Sequence, residues 1–395
     1  MAAQPTAAVH KTTLAIIVAV SVCHLINDVM QSMLTAIYPI LKANYGLDFV
    51  QIGLLTFTFQ CTASLLQPAI GMYTDKRPLP YSLPVGMASS LIGLIVLGFA
   101  QTYWLLLVGS ALVGLGSAIF HPESSRVARL ASGGRHGLAQ SLFQVGGNIG
   151  SAIGPLLAAF IVLPRGQTSV SWFAAGSLVG IFILWRVGAW YANHRRVNAG
   201  RVVNTTRPFD RRTTTIALAV LTILTLSKNA YTASFSSYYT FYLIDRFGVG
   251  VQDSQLLLFV FLGASALGVF LGGPIGDRFG AKFVIWFSIL GVLPFTLALP
   301  YADFTWTVIL TIIIGLVLSS AFSAIVVFAQ ELLPGRVGMV AGIFFGFAFG
   351  AAGIAAAALG AVADVTSIEH VFWLTSFLPL VGLLTIFLPE MKHAR

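Results

Sequence analysis

Runs of about 20 mainly apolar residues recur along the whole chain, and that repetition decides what the chain can fold into. Twelve runs are read, at 14–38, 51–73, 83–100, 104–130, 138–162, 171–191, 214–243, 254–275, 282–300, 305–330, 338–362 and 370–388. A helix of that length crosses the hydrocarbon core of a bilayer, where only helices and closed barrels satisfy their own backbone polar groups. The expected fold class is an all-α membrane protein with twelve transmembrane helices. Composition agrees: 57% of the 395 residues are apolar and 9% charged, against about 25% charged in soluble domains. The net charge of +9 does not point to nucleic acid, because the basic residues sit in short loops and not on one amphipathic face.

Lysine and arginine orient the spans. Loops on the side of the termini hold Lys76 and Arg77, Arg129 and Arg135, Arg195, Arg196, Arg201, Arg207, Arg211 and Arg212, Arg278 and Lys282, and Arg336; the opposite loops hold Lys42, Arg165 and Arg246. The positive-inside rule then places both termini in the cytoplasm. The first run continues past His24 and Asp28 with no small-residue cleavage site, so it is expected to be an uncleaved span. Cys23 and Cys61 lie inside apolar runs and offer neither a disulfide framework nor metal-ligand spacing.

A weak internal repeat relates the two halves at an offset of about 201 residues. Gly71, Asp75 and Lys76 match Gly273, Asp277 and Arg278; Arg135 and Gly137 match Arg336 and Gly338. The expected domains are a bundle over 1–192, a basic cytoplasmic linker over 193–213, and a second bundle over 214–395. In the repeated loop, glycine permits close helix approach, and an aspartate can face a helix N-terminus and a nearby arginine. Arg129, at the end of the fourth span, is the expected partner of Asp75.

The fifth span carries Gly146, Gly150, Gly154 and Pro155. Glycines four apart share one helix face and allow close packing, and the proline kinks the end. Polar residues inside spans are the sharper signal, because a charge at the bilayer centre costs about 2.5–3.5 kcal/mol on insertion scales. The first span places His24, Asn27, Asp28 and Gln31 on one face, near mid-membrane at about 1.5 Å of rise per residue. Removal from water disfavours a charged carboxylate, so Asp28 is read as a group that loads and releases a proton, with His24 one turn away to share it.

The fourth span holds His121, Pro122, Glu123 and Arg126. His121 is expected about 12 Å deep, with Glu123 and Arg126 close enough to pair. The pattern is not H-E-x-x-H, so no metal site is expected, and no G-x-S-x-G elbow suggests an enzyme. The seventh span holds Lys228, Asn229, Tyr231 and Tyr239. At the repeat offset Lys228 and Asn229 fall opposite Asn27 and Asp28. A central lysine with amide and hydroxyl donors suits a phosphate, phosphonate or carboxylate, or serves Asp28 as a counter-ion.

Parallel six-span halves joined by a basic linker, with GPIGDRFGAK at 273–282, resemble the major facilitator superfamily. The first copy departs from the loop pattern, with Pro78 where the second glycine is expected. The resemblance implies a conformational latch formed by Gly71, Asp75, Lys76, Arg129, Gly273, Asp277 and Arg278. It also implies an exporter's packing motif at Gly146, Gly150, Gly154 and Pro155. The strings HLINDVMQS, QPAIGMYTDKRP, the FHPESSRVA block near 120–128, SSYYTFYL and AQELLPGRVGM further resemble the fosmidomycin-resistance family over nearly the whole chain. That resemblance implies a bacterial inner-membrane antiporter that exports an anionic phosphonate drug in exchange for protons, by alternating access. The site residues expected on this reading are Asp28, His24 and Glu123 for protons. For substrate they are Lys228, Arg126, His121, Asn27, Gln31, Asn229, Tyr231 and Tyr239. The expected partners are the anion, protons and the bilayer around a monomer, with no nucleic acid, cofactor or metal. An uptake symporter for a small organic or phosphorylated anion would share the carboxylate and the lysine, but the glycine–proline motif argues against it. A membrane enzyme or sensor lacks any supporting motif.

Overall fold

The computed structural model describes residues 12–47, 49–197 and 206–391. Eleven helical stretches among them are long and apolar enough to cross a membrane. In chain order the spanning segments are α1 (Leu14–Ala36), α2 (49–76), α3 (Ser82–Phe99), α4 (Tyr103–Ala131), α5 (His136–Arg165), α6 (Gln167–Val197), α7 (Arg211–Phe247), α8 (Val251–Phe279), α9 (Ala281–Tyr301), α10 (Phe304–Leu332), α11 (Val337–Val365) and α12 (Ile368–Phe387). The segment outside the eleven is α2, which is helical throughout but carries a π turn at Cys61–Leu65 and several polar side chains. All twelve expected spans correspond to one of these segments. The chain folds as two six-helix bundles, α1–α6 and α7–α12.

The region read as a linker is partly helix. Residues 193–197 extend α6, with His194, Arg195 and Arg196 in its last turn, where cations meet the negative end of the helix dipole. Helix α7 starts at Arg211 because Asp210 caps it, accepting from the N–H of Arg212 at 3.0 Å and of Thr213 at 3.3 Å. Residues 198–205, with Arg201, lie outside the described residues, as do both termini at 1–11 and 392–395.

Within the first bundle α5 lies against α1 because its glycines leave room. A Cβ at Gly146 would collide with the Ser21 carbonyl, one at Gly150 with the Leu25 carbonyl, and one at Gly154 with the Ser32 hydroxyl. Pro155 lacks an N–H to give the carbonyl one turn earlier, and the helix loosens into a π turn at Ala158–Val162. The second bundle has its own aromatic core, in which Phe235 stacks on Phe261 with ring centres 4.5 Å apart and meets Phe372 edge-on.

Both bundles begin and end on the same side, here termed the terminal side. There the N–H of Thr13, just before α1, donates to the carbonyl of Ala131 at the end of α4 at 2.8 Å. Hydrogen bonds that cross between the bundles gather on this side. Gly338 and Met339 donate to Asp75, Gly137 and Leu138 donate to Asp277, Arg129 donates to Gln330, and Gln330 donates to Ser125. That side of the interface is closed.

Candidate functional site

A cavity of about 370 Å³ lies between the bundles. The first bundle contributes His24 and Asp28 from α1, His121 from α4, and Gln144, Asn148 and Ser151 from α5; the second contributes Lys228 and Asn229 from α7 and Ser265 from α8. Phe261, Phe322 and Phe345 supply apolar wall. The depth expected from helix rise brings α1 and α7 to this level.

Asp28 is 6% exposed and sits in a bonded nest. Asn27 Nδ2 and Gln31 Nε2 donate to its Oδ1 at 3.1 and 3.0 Å, and Ser151 donates to Oδ2 at 3.4 Å. His24 Nε2 stands 3.5 Å and His121 Nε2 3.7 Å from the carboxylate. Asn27 and Gln31 therefore support Asp28 and are not themselves among the cavity-lining residues. Helix α5 approaches here without a side chain: a Cβ on Gly147 would meet the His24 ring and would stand 2.9 Å from Asp28 Oδ2.

Lys228, opposite, is buried, and its ammonium lies 5.6 Å from the centre of the Phe322 ring. The ion pair with Asp28 that the repeat suggested is not among those formed by the described residues; the carboxylate is occupied by its amides and the two histidines. The cavity wall also holds polar atoms with no protein partner among the described residues: Asn229 Nδ2, Gln144 Oε1 and Ser265 Oγ. A buried polar atom without a partner costs free energy, so the amide donor of Asn229, the hydroxyl of Ser265 and the amide acceptor of Gln144 are disposed toward a polar guest.

Other expected residues lie elsewhere. Arg126 is at the terminal end of α4 and away from the cavity, fully engaged: Nη1 binds Glu123 at 2.5 Å, and Nη2 binds Asp75 at 2.6 Å and Thr74 at 2.9 Å. Glu123 also accepts from Ser82 at 3.1 Å. Tyr231 and Tyr239 point into the aromatic core of the second bundle, because they share with Phe235 the face of α7 that packs against Phe261 and Phe372. The partner of Asp75 is Arg126, not Arg129; the latter is one turn on and reaches Gln330 at 3.2 Å. Lys76 and Arg278 are exposed, and Arg278 stacks on Phe279 with no bond to the other bundle among the described residues.

Gly71 and Gly273 lie where the bundles approach closely on the terminal side: a Cβ on Gly71 would strike the Gly338 carbonyl, and one on Gly273 the Gly137 carbonyl. Gly338, which the repeat flagged only as a match to Gly137, has a further role. A Cβ there would occupy the position of Arg126 Nη2. Sequence reading missed Gln144, Asn148 and Ser151, although their spacing of four and three residues places them on one face of α5.

Two helical bundles latched on one face around a buried, charged cavity define a membrane transporter and not an enzyme. The family model described as Major Facilitator Superfamily matches residues 20–250 and 221–395, and the chain belongs to that superfamily. It is 56% identical over 384 residues to the fosmidomycin resistance protein of Escherichia coli (strain K12), covering 97% of this chain and 95% of that one. An uncharacterised MFS-type transporter of Bacillus subtilis (strain 168) is 40% identical over 390 residues, covering 97% and 95%. Among solved structures, the superfamily transporter FucP in its outward conformation matches with a TM-score of 0.75 at 14% identity, over 95% of this chain and 99% of that one; this likeness concerns the fold alone.

Proposed function

We propose that the protein is a proton-coupled antiporter that exports a small anionic drug of the phosphonate class, such as fosmidomycin, across the inner membrane of a bacterium. The observation that carries the reading is the central cavity, where Asp28 with two histidines faces an ammonium that, among the described residues, has no carboxylate on it. Lys228 attracts the anion, with Asn229 Nδ2 and Ser265 Oγ as added donors. Asp28, assisted by His24 and His121, carries the proton. Anion and proton share one cavity, so occupancy by one changes the electrostatic cost of the other.

Asp75 and Asp277 act as the latch of alternating access, holding the terminal side shut by capping helices of the opposite bundle. With both termini cytoplasmic, as the basic loops indicate, this closed side faces the cytoplasm. The protein acts as a monomer with bundles at 1–192 and 214–395. The resemblance to the fosmidomycin resistance protein supports the choice of drug. Purified protein reconstituted in vesicles with an imposed pH gradient tests the reading. The phosphonate should move against its own gradient and opposite to the proton flux; co-directional movement would make the protein a symporter.

A further inference from the structure

His24 Nδ1 lies 2.7 Å from the carbonyl oxygen of Phe143, and His121 Nδ1 lies 3.0 Å from that of Ser117. A carbonyl only accepts, so both Nδ1 atoms carry hydrogen. A second observation gives the same tautomer for His121. Ser117 gives its one hydroxyl hydrogen to Gln31 Oε1 at 3.0 Å, which leaves its oxygen to accept from Nδ1 at 3.2 Å. In the neutral rings both Nε2 atoms are therefore lone pairs. They face each other at 3.2 Å, with Asp28 Oδ2 3.5 Å from the His24 atom and Asp28 Oδ1 3.7 Å from the His121 atom. Three electron-rich groups converge on one point, and only a cation between them relieves their repulsion.

We propose that His24, Asp28 and His121 form a binding site for a divalent transition-metal ion of the zinc class, and that the bound ion blocks export by taking the place of the coupling proton. The second clause rests on the transport reading above; the first does not. Nitrogen and oxygen ligands around tetrahedral zinc, at about 2.0–2.2 Å from the metal, stand roughly 3.3–3.5 Å from one another. The 3.2 Å between the two Nε2 atoms and the 3.5 Å from His24 Nε2 to Asp28 Oδ2 lie close to that range, while His121 Nε2 stands 3.7 Å from the other carboxylate oxygen, Oδ1. A metal-binding histidine characteristically donates its other ring N–H to a carbonyl, which fixes ring and tautomer, and both rings do so here. Asp28 is steadied by Asn27 and Gln31. Two imidazoles and one carboxylate suit zinc, nickel or copper better than magnesium or calcium, which take all-oxygen sites.

All three ligands line the central cavity, so an ion reaches them from there and keeps a fourth position toward it. The opposing charge in that cavity is Lys228, which repels a metal ion and keeps the site weak. No spacing rule exposes this group in the sequence, because the histidines are 97 residues apart on different helices.

The test is calorimetric titration of zinc into tag-free, chelator-stripped purified protein. One saturable equivalent is expected. His24→Gln and His121→Gln should each weaken it at least about tenfold, Lys228→Gln should tighten it, and His370→Gln, on the surface, should leave it unchanged. Cobalt absorption on the unaltered protein reads the same site without mutation, as the visible bands of a tetrahedral ion. Absence of saturable binding, or binding unchanged in both histidine variants, overturns the site. In vesicles, zinc should slow phosphonate export and a chelator should restore it. Gradient-driven export that proceeds unchanged at saturating zinc overturns the block while leaving the transport reading intact.

Discussion

The carboxylate of Asp75 accepts a hydrogen bond from the backbone N–H of Gly338 at 2.9 Å, tying α2 of one bundle to the start of α11 in the other. The N–H of Met339 adds a second bond at 2.8 Å. The repeat produces the same joint in mirror order, with Asp277 of α8 accepting from Gly137 at 2.7 Å and Leu138 at 2.9 Å at the start of α5. Each aspartate is a helix cap supplied from across the interface.

The two joints are not equal. Asp75 also binds Arg126, and at the repeat offset the second bundle has Val327 in that arginine's place. Asp75→Asn should therefore open the terminal side more than Asp277→Asn does. Caps are worth about 0.5–2 kcal/mol, so a shift of roughly fivefold in the closed population is expected for Asp75→Asn. Phosphonate affinity should change less than about twofold. Cross-linking across the terminal face, paired with a binding titration, measures both quantities.

Arg126 holds two carboxylates in the protein interior. Replacement by methionine strands Glu123 and Asp75, and breaking a buried pair from one side typically costs about 3–5 kcal/mol. Arg126→Met should lower the melting temperature sharply. Phosphonate affinity of the folded fraction should stay near that of the unaltered protein, since the guanidinium does not line the cavity.

Gly147 of α5 stands directly beside His24 and Asp28. A methyl there must displace the His24 ring or the Asp28 carboxylate, and overpacking of this kind costs about 1–3 kcal/mol. Gly147→Ala should cut export at least about tenfold. Gly176→Ala, where a Cβ meets nothing within 4 Å, should be silent. Vesicle flux normalised to folded protein makes the comparison.

Lys228→Gln should weaken phosphonate binding at least about tenfold, because truncating one partner of a desolvated charge contact costs several kcal/mol. Lys228→Arg keeps the charge at a different reach and should retain part of the affinity. Binding to purified protein, with a neutral ester of the drug as control, separates charge from shape.

What could be read from the sequence was what depends on one helix at a time. Span lengths and the polar face of α1 follow from local period and hydropathy, and the correspondence of Asp75 with Asp277 follows from the internal repeat. The direction a polar residue takes among neighbours does not. Tyr231 and Lys228 share α7, three residues apart, yet one enters an aromatic core and the other the cavity. Arg126 and Arg129 were equally placed to meet Asp75, and only the packing of α2 on α4 separates them. Gln144 and Asn148 flank Gly146 on α5, and only the way α5 packs turns them to the cavity; the meeting of His24 with His121 likewise belongs to tertiary structure alone.

The central claim is that Asp28 exchanges a proton in step with the drug. The most direct measurement is proton release from purified protein in weakly buffered solution on addition of fosmidomycin, for the unaltered chain and for Asp28→Asn. The account predicts release that saturates with the drug in the unaltered protein and is lost in the variant, while Asp28→Asn still binds the phosphonate. Saturable phosphonate binding with no proton released from the unaltered protein, or undiminished release from Asp28→Asn, would contradict it.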